Sequence, residues 1–237
     1  SGTVRLLEIA SGKVRAEFAG HRHGVHGLSF APDGKTLASG GEDNVAFLWD
    51  VTGARTPAVA NIASENELAA WWRDLAAEDG KRAGVAVACL IRTPDQSVAF
   101  LQQQLHPVEA VDEKRLARLL ANLDGDDFKT REEASRELAR LGGLAEAALQ
   151  RALTNRPSLE ARRRIKDLLH KLPAPLPPEM LRGLRAIEVL EHIGTSSARR
   201  CLEALAKGAA EAWPTRDAKA ALQRLANRRC YNTSAVR

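Results

Sequence analysis

Gly20-His21, Val25-His26-Gly27-Leu28-Ser29-Phe30-Ala31-Pro32-Asp33-Gly34, Leu37-Ala38-Ser39-Gly40-Gly41-Glu42-Asp43 and Phe47-Leu48-Trp49-Asp50 decide how the first quarter of this chain folds. Apolar residues alternate through Val25, Leu28 and Phe30, and Pro32-Asp33-Gly34 and Gly40-Gly41 punctuate them as turns. The same alternation precedes them at Val4, Leu6, Val14, Ala16 and Phe18, with a turn at Ser11-Gly12. Short strands separated by a turn about every ten residues predict an antiparallel meander.

The spacing of Gly20-His21 and Trp49-Asp50 around Pro32-Asp33-Gly34 resembles one repeat of the WD40 family of β-propellers. Gly2 to Glu8 resembles the end of a preceding repeat, with Leu7 and Glu8 where Trp and Asp are usual. Val14 to Phe18 then resembles the outer strand leading into the next blade. In that family a His, a Ser or Thr, an Asp and a Trp form a hydrogen-bonded set within each blade. The resemblance assigns those roles to His21, Ser39, Asp43 and Trp49 as structural residues, not a catalytic triad. Physical logic agrees: a buried indole N–H and an imidazole need partners, and a turn Asp can fix the imidazole tautomer. A propeller needs four or more blades to close, and only about one and a half are legible here. The reading therefore expects further blades upstream of Ser1, with the last one completed by a strand from the far N-terminus.

From Ser64 the pattern becomes helical. Ser64-Glu65-Asn66-Glu67 is a capping box before Leu68, Trp71, Trp72 and Leu75. Apolar periodicity predicts further helices over 79–92, from Pro94 to the break at Pro107, and over 112–123, 126–141, 144–153 and 159–171. Others follow near 178–193, 195–206 and 215–228. Val85, Phe128 and Leu159 are read among their apolar positions. Gly142-Gly143 stops one helix, and the proline-rich run 173–178 is a stiff connector.

The predicted fold is mainly α with a small antiparallel β part: an incomplete propeller followed by a HEAT-like α-solenoid or an irregular helical array. The domains expected are 1–55 for the partial blades, 56–63 for a linker, 64–229 for the helical region and 230–237 for a disordered tail. The whole order resembles large bacterial WD40-repeat proteins with a helical C-terminal region.

The 237 residues hold only 4% aromatics, so Leu and Ala must do most of the packing, which favours helices. Three scattered cysteines, Cys89, Cys201 and Cys230, argue against a disulfide framework or a structural zinc site and for a reducing compartment. No apolar run reaches the length of a membrane span. A cytoplasmic location is expected, with no membrane partner. His21, His23 and His26 lack a Cys or carboxylate at ligand spacing, and Glu188 with His192 fits a local ion pair or cap near Gly194. None of the nucleotide, zinc-protease or hydrolase signatures occurs. No cofactor and no enzymatic activity are expected.

Charges cancel over residues 1–60, so the net +5 lies in the helical part. From Arg140 to Lys171 eight basic residues face three acids, and Arg162, Arg163, Arg164 and Lys166 form a candidate basic surface. Three consecutive arginines span about 200° of helix, so they cannot all face one groove. No aromatic residue interleaves them to stack bases. The favoured function is therefore non-catalytic protein–protein interaction or scaffolding. The rivals are nucleic-acid binding by the basic helices and a regulatory tail of an enzyme whose catalytic domain lies upstream.

Overall fold

The computed structural model describes residues 2–53, 62–171 and 176–234, with side chains described through residue 228. Most of the expected linker (residues 56–61), the connector residues 173–175 and the end of the expected tail (235–237) lie outside the described residues.

Strands β1 (Thr3–Leu7) and β2 (Val14–Ala19) form one antiparallel pair, and β3 (Val25–Phe30), β4 (Thr36–Gly41) and β5 (Ala46–Asp50) form a three-stranded meander. Turn chemistry sets these reversals. Gly12 and Gly34 take positive φ of 67° and 66°, and Asp33 accepts a hydrogen bond from the Lys35 N–H at 2.8 Å. Among the described residues the strands form two separate small sheets and close no barrel.

Register places Leu37 between Phe30 and Trp49, and Ser39 between Leu28 and Phe47, all on one face of the meander. Phe18 of β2 stacks on Trp49 at 5.4 Å, so the two-stranded sheet covers the β5 side of that face. Leu28 and Phe30 on β3 stay 58% and 56% exposed.

Ten helices follow among the described residues: α1 (Glu65–Asp74), α2 (Gly80–Arg92), α3 (Pro94–Gln104), α4 (Glu113–Leu123) and α5 (Phe128–Leu141), then α6 (Gly143–Thr154), α7 (Leu159–Lys171), α8 (Pro178–Ile193), α9 (Ser196–Leu205) and α10 (Trp213–Ser234). Their starts are chemically marked. The Ser64 capping box is formed, with the Ser64 N–H donating to Glu67 at 2.8 Å. Asp79, Asp112 and Asp127 each accept a backbone N–H at the starts of α2, α4 and α5. Gly142, at φ 54°, ends α5 and admits α6 directly behind it, so one glycine makes the break and Gly143 is already helical. The last helix starts two residues before the expected 215 and continues to Ser234, into the stretch read as tail; its good helix formers from Ala218 to Arg229 carry no internal stop.

The chain divides into two compact units, one made of Ser1–His106, Leu176–Glu203 and Ala218–Arg237, the other of Pro107–Pro175 and Ala204–Asp217. In the first, α2 packs on β2 and also on α1, α3 and α8 around Leu75, Val87, Leu90, Leu101, Ile187 and Leu190. In the second, α4 packs on α5 and α6 on α7, while α4 also meets α6 and α5 meets α7. Leu119, Leu123, Leu138, Leu149 and Ile165 fill its core.

Three residues placed among the apolar positions stand outside the cores: Val85, Phe128 and Leu159 are 62%, 64% and 85% exposed. Phe128 and Leu159 are the first residues of their helices, and the buried positions begin only at Ala134 on α5 and at Ala161 on α7. The Arg164 guanidinium lies 5.8 Å from the Phe128 ring centre.

Candidate functional site

The meander brings His21, Ser39, Asp43 and Trp49 together. His21 precedes β3, Ser39 lies on β4, Asp43 lies in the β4–β5 turn and Trp49 lies on β5. His21 Nδ1 lies 2.9 Å from Asp43 Oδ1, and its Nε2 lies 2.8 Å from Ser39 Oγ. Trp49 Nε1–H donates to the same Ser39 oxygen at 2.8 Å. The carboxylate can only accept, so the network assigns the Nδ1–H tautomer to His21 and leaves Nε2 to accept from the Ser39 hydroxyl. Asp43 also accepts the backbone N–H groups of Arg22 at 2.9 Å and Val45 at 3.2 Å. The His21 bond, helped by these N–H donors against the cost of desolvation, holds the Asp43 carboxyl down at about 2. Phe47 packs edge-on to the His21 ring at 4.8 Å. On paper these side chains look like a Ser-His-Asp triad. Ser39 is 3% exposed and its oxygen is engaged on both sides, so a substrate carbonyl has no approach to it.

The basic residues of α7 do not act as one patch. Arg162, Arg163 and Lys166 are exposed, while Arg164 is held between Glu160 at 2.7 Å and Glu132 of α5 at 3.3 Å. At 100° per residue the three exposed cations fall within about 100° of one another, opposite the buried Ala161, Ile165 and Leu168.

His23 and His26 are exposed, and His26 lies 3.3 Å from Glu42. Among the described residues no group of three His, Cys, Asp or Glu side chains is placed to hold a metal ion. Cys201 is buried and Cys89 half-buried, both as free thiols, and burial pushes the Cys201 thiol up.

Two features were not read from the sequence. The first is a set of ion pairs linking strands to helices within the first unit. Arg185, 2% exposed, donates to both oxygens of Glu8 at 2.7 and 2.6 Å and to the carbonyls of Leu75 and Ala77 at 2.6 and 2.8 Å. Burial raises the Glu8 pKa, but bonds from Arg185 and Ser11 outweigh it and leave it lowered. Arg15 reaches Glu188 at 2.6 Å, and His192, expected beside Glu188 from their i,i+4 spacing, sits 3.6 Å from the same oxygen. Burial opposes the ionised Glu188 as well, and His192 and Arg15 together keep its pKa below the usual carboxylate range. The second is a groove of about 560 Å³ between α4, α6 and α7. Alanines at i, i+4 on both α4 and α6 were its only trace in the sequence.

Residues 12–50 match the family model described as WD domain, G-beta repeat, and this segment is a WD40 repeat. Over 38 residues the chain is 50% identical to the anaphase-promoting complex subunit cdh1 of Dictyostelium discoideum, covering 16% of the chain and 5% of that protein. Over 50 residues it is 36% identical to the small ribosomal subunit protein RACK1y of Oryza sativa subsp. japonica, covering 21% of the chain and 15% of that protein. A longer stretch of 137 residues is 28% identical to autophagy-related protein 16 of Arabidopsis thaliana, covering 54% of the chain and 26% of that protein. The chain thus spans only a small part of these relatives. No solved structure matches it.

Proposed function

We propose that this chain is a non-catalytic segment that docks protein partners and serves as a scaffold in the cytoplasm. The WD40 repeat at residues 12–50 carries this reading, since its kin include subunits of larger assemblies by their names. In this reading residues 1–55 form the repeat fragment, and residues 64–229 form a HEAT-like array. The pairing of α4 with α5 and α6 with α7, with α4 against α6 and α5 against α7, supports such a stack of helical hairpins. The clip of His21, Ser39, Asp43 and Trp49 is structural: it holds three strands together and consumes every polar atom that chemistry would need.

Cross-linking of the full chain in its own cells, followed by mass spectrometry, tests the reading. Cross-links to a small set of proteins, resistant to nuclease, are expected. Cross-links only within the chain overturn it. Nucleic-acid binding is the rival, and the shared arc of Arg162, Arg163 and Lys166 is the observation in its favour. It requires affinity that falls steeply with salt and disappears when those three residues are replaced.

A further inference from the structure

We infer that the groove between α4, α6 and α7 receives a short amphipathic helix of a protein partner, with acidic residues toward the helix's C-terminal end. This inference rests on the interaction reading above and names the kind of partner one surface fits.

The groove runs along one stripe of α4 from Glu113 to Asp124, about 16 Å at 1.5 Å per residue, which matches three turns of a bound helix. Its walls are small and apolar. Ala117 and Ala121 are exposed on α4, and Ala148 and Ala152 lie across on α6, so a helix backbone can approach closely. Leu116 and Leu120 are half-buried beside them and offer apolar contact at helical spacing.

Three observations choose this occupant. The long walls are the helices α4, α6 and α7, with the loop residues Asn155, Arg156 and Pro157 at one end, so no sheet edge is offered to an extended strand. The apolar stripe of Leu116, Ala117, Leu120 and Ala121 separates Glu113 from the cluster of Asp124, Arg151, Asn155 and Arg156, so an elongated apolar occupant suits the groove. The charges of those ends differ. Glu113 stands at one. Arg151 and Arg156 stand at the other, where Asp124 accepts the Ser158 N–H at 3.4 Å. A bound helix laid with its N-terminus at Glu113 and its C-terminus at the arginines complements both ends through its dipole. Carboxylates in its last turns then pair with the guanidinium groups.

Those guanidinium groups are available. Neither Arg151 nor Arg156 has a carboxylate partner among the described residues. Elsewhere in the same unit Arg115 pairs with Glu137, Arg136 with Glu132 and Arg164 with Glu160. Arg156 also holds a positive φ of 54°, a conformation glycine adopts at less cost. The chain therefore presents a charge at a position where its backbone alone would favour glycine.

The test uses the full chain and a fluorescent three-turn helical peptide with leucines at i, i+3, i+4 and i+7 and glutamates beside the last two. Saturable binding is expected. Replacing exposed Ala117 with Trp fills the groove and should abolish binding. The pair R151E and R156E should weaken binding of the glutamate peptide about tenfold and restore it to a peptide with lysines in those places. Arg156→Gly should raise the thermal midpoint while lowering affinity, opposite signs that a merely structural residue would not give. Absence of binding by the folded chain, or binding indifferent to Ala117→Trp and to the charge exchange, overturns the inference. So does binding lost only on R162E, R163E and K166E, which would mark a general polyanion surface. The wider interaction reading fails separately: partner cross-links that survive Ala117→Trp leave it standing while the groove is refuted, and the absence of any partner cross-link refutes that reading itself.

Discussion

Ser39 is the residue on which the blade turns. Its hydroxyl accepts the Trp49 indole N–H and donates to His21, so Ser39→Ala strands the buried His21 imidazole and the half-buried Trp49 indole at once. Leaving such groups unpaired costs about 1–3 kcal/mol, and urea denaturation of Ser39→Ala should show a loss of that order. Asp43 adds a dependence on pH. Its carboxyl falls from 3.8 to about 2 on folding, so the folded state favours the ionised form. Its stabilisation is complete above the unfolded value and is lost as pH falls from about 4 toward 2. The stability difference between the parent and Asp43→Asn, followed by urea midpoints across that window, should shrink as pH drops. A difference that stays constant down to pH 2 would separate the carboxylate from the clip. All four clip residues were legible because their spacing belongs to the repeat itself. Arg164 was legible only in part: its i,i+4 spacing from Glu160 offers a local pair, but the second carboxylate, Glu132 on α5, comes from the tertiary fold.

At the scale of elements, the contact between β2 and α2 is close enough to exclude a methyl group. A Cβ on Gly80 would lie 2.7 Å from the Val14 carbonyl oxygen. Gly→Ala normally favours a helix, yet Gly80→Ala should destabilise by about 1–3 kcal/mol, read by thermal denaturation. Stabilisation instead would mean that β2 yields freely. Glu8 and Arg185 tie the turn after β1 to α8 and to the end of α1. Glu8→Gln leaves a guanidinium that is 2% exposed without its counter-charge and should cost about 3–5 kcal/mol. The double replacement Glu8→Leu with Arg185→Met should recover most of that loss, because it removes both charges from the buried site. These partners stand 177 residues apart, and nothing in local pattern or composition couples them. Helix starts were legible to within two residues, and Ser64, Asp79, Asp112 and Asp127 mark four of them chemically, whereas the end of α10 was not.

Across the whole molecule, protection should be uneven. The inner face of the meander is covered on the β5 side by Phe18, while among the described residues no strand pairs with the outer edge of β3, whose Leu28 and Phe30 are largely exposed. Native-state hydrogen exchange should therefore be fast in the outward amides of β3 and slow in α8, whose Ala186, Ile187, Val189 and Leu190 are no more than 1% exposed. Protection of β3 equal to that of α8 would mean that another surface covers that edge.

The sequence by itself determined the WD40 repeat, its four clip residues, the change from strands to helices near residue 64 and the extent of most helices. Each rests on turns, caps or periodicity, which act over a few residues. Tertiary structure alone decided which face meets which neighbour: the strands joined to α2 and α8, Phe128 and Leu159 left outside, Arg164 paired inward, and a groove opened between α4, α6 and α7. Those outcomes follow from packing and charge pairing between segments distant in the chain, and local propensity carries no information about them.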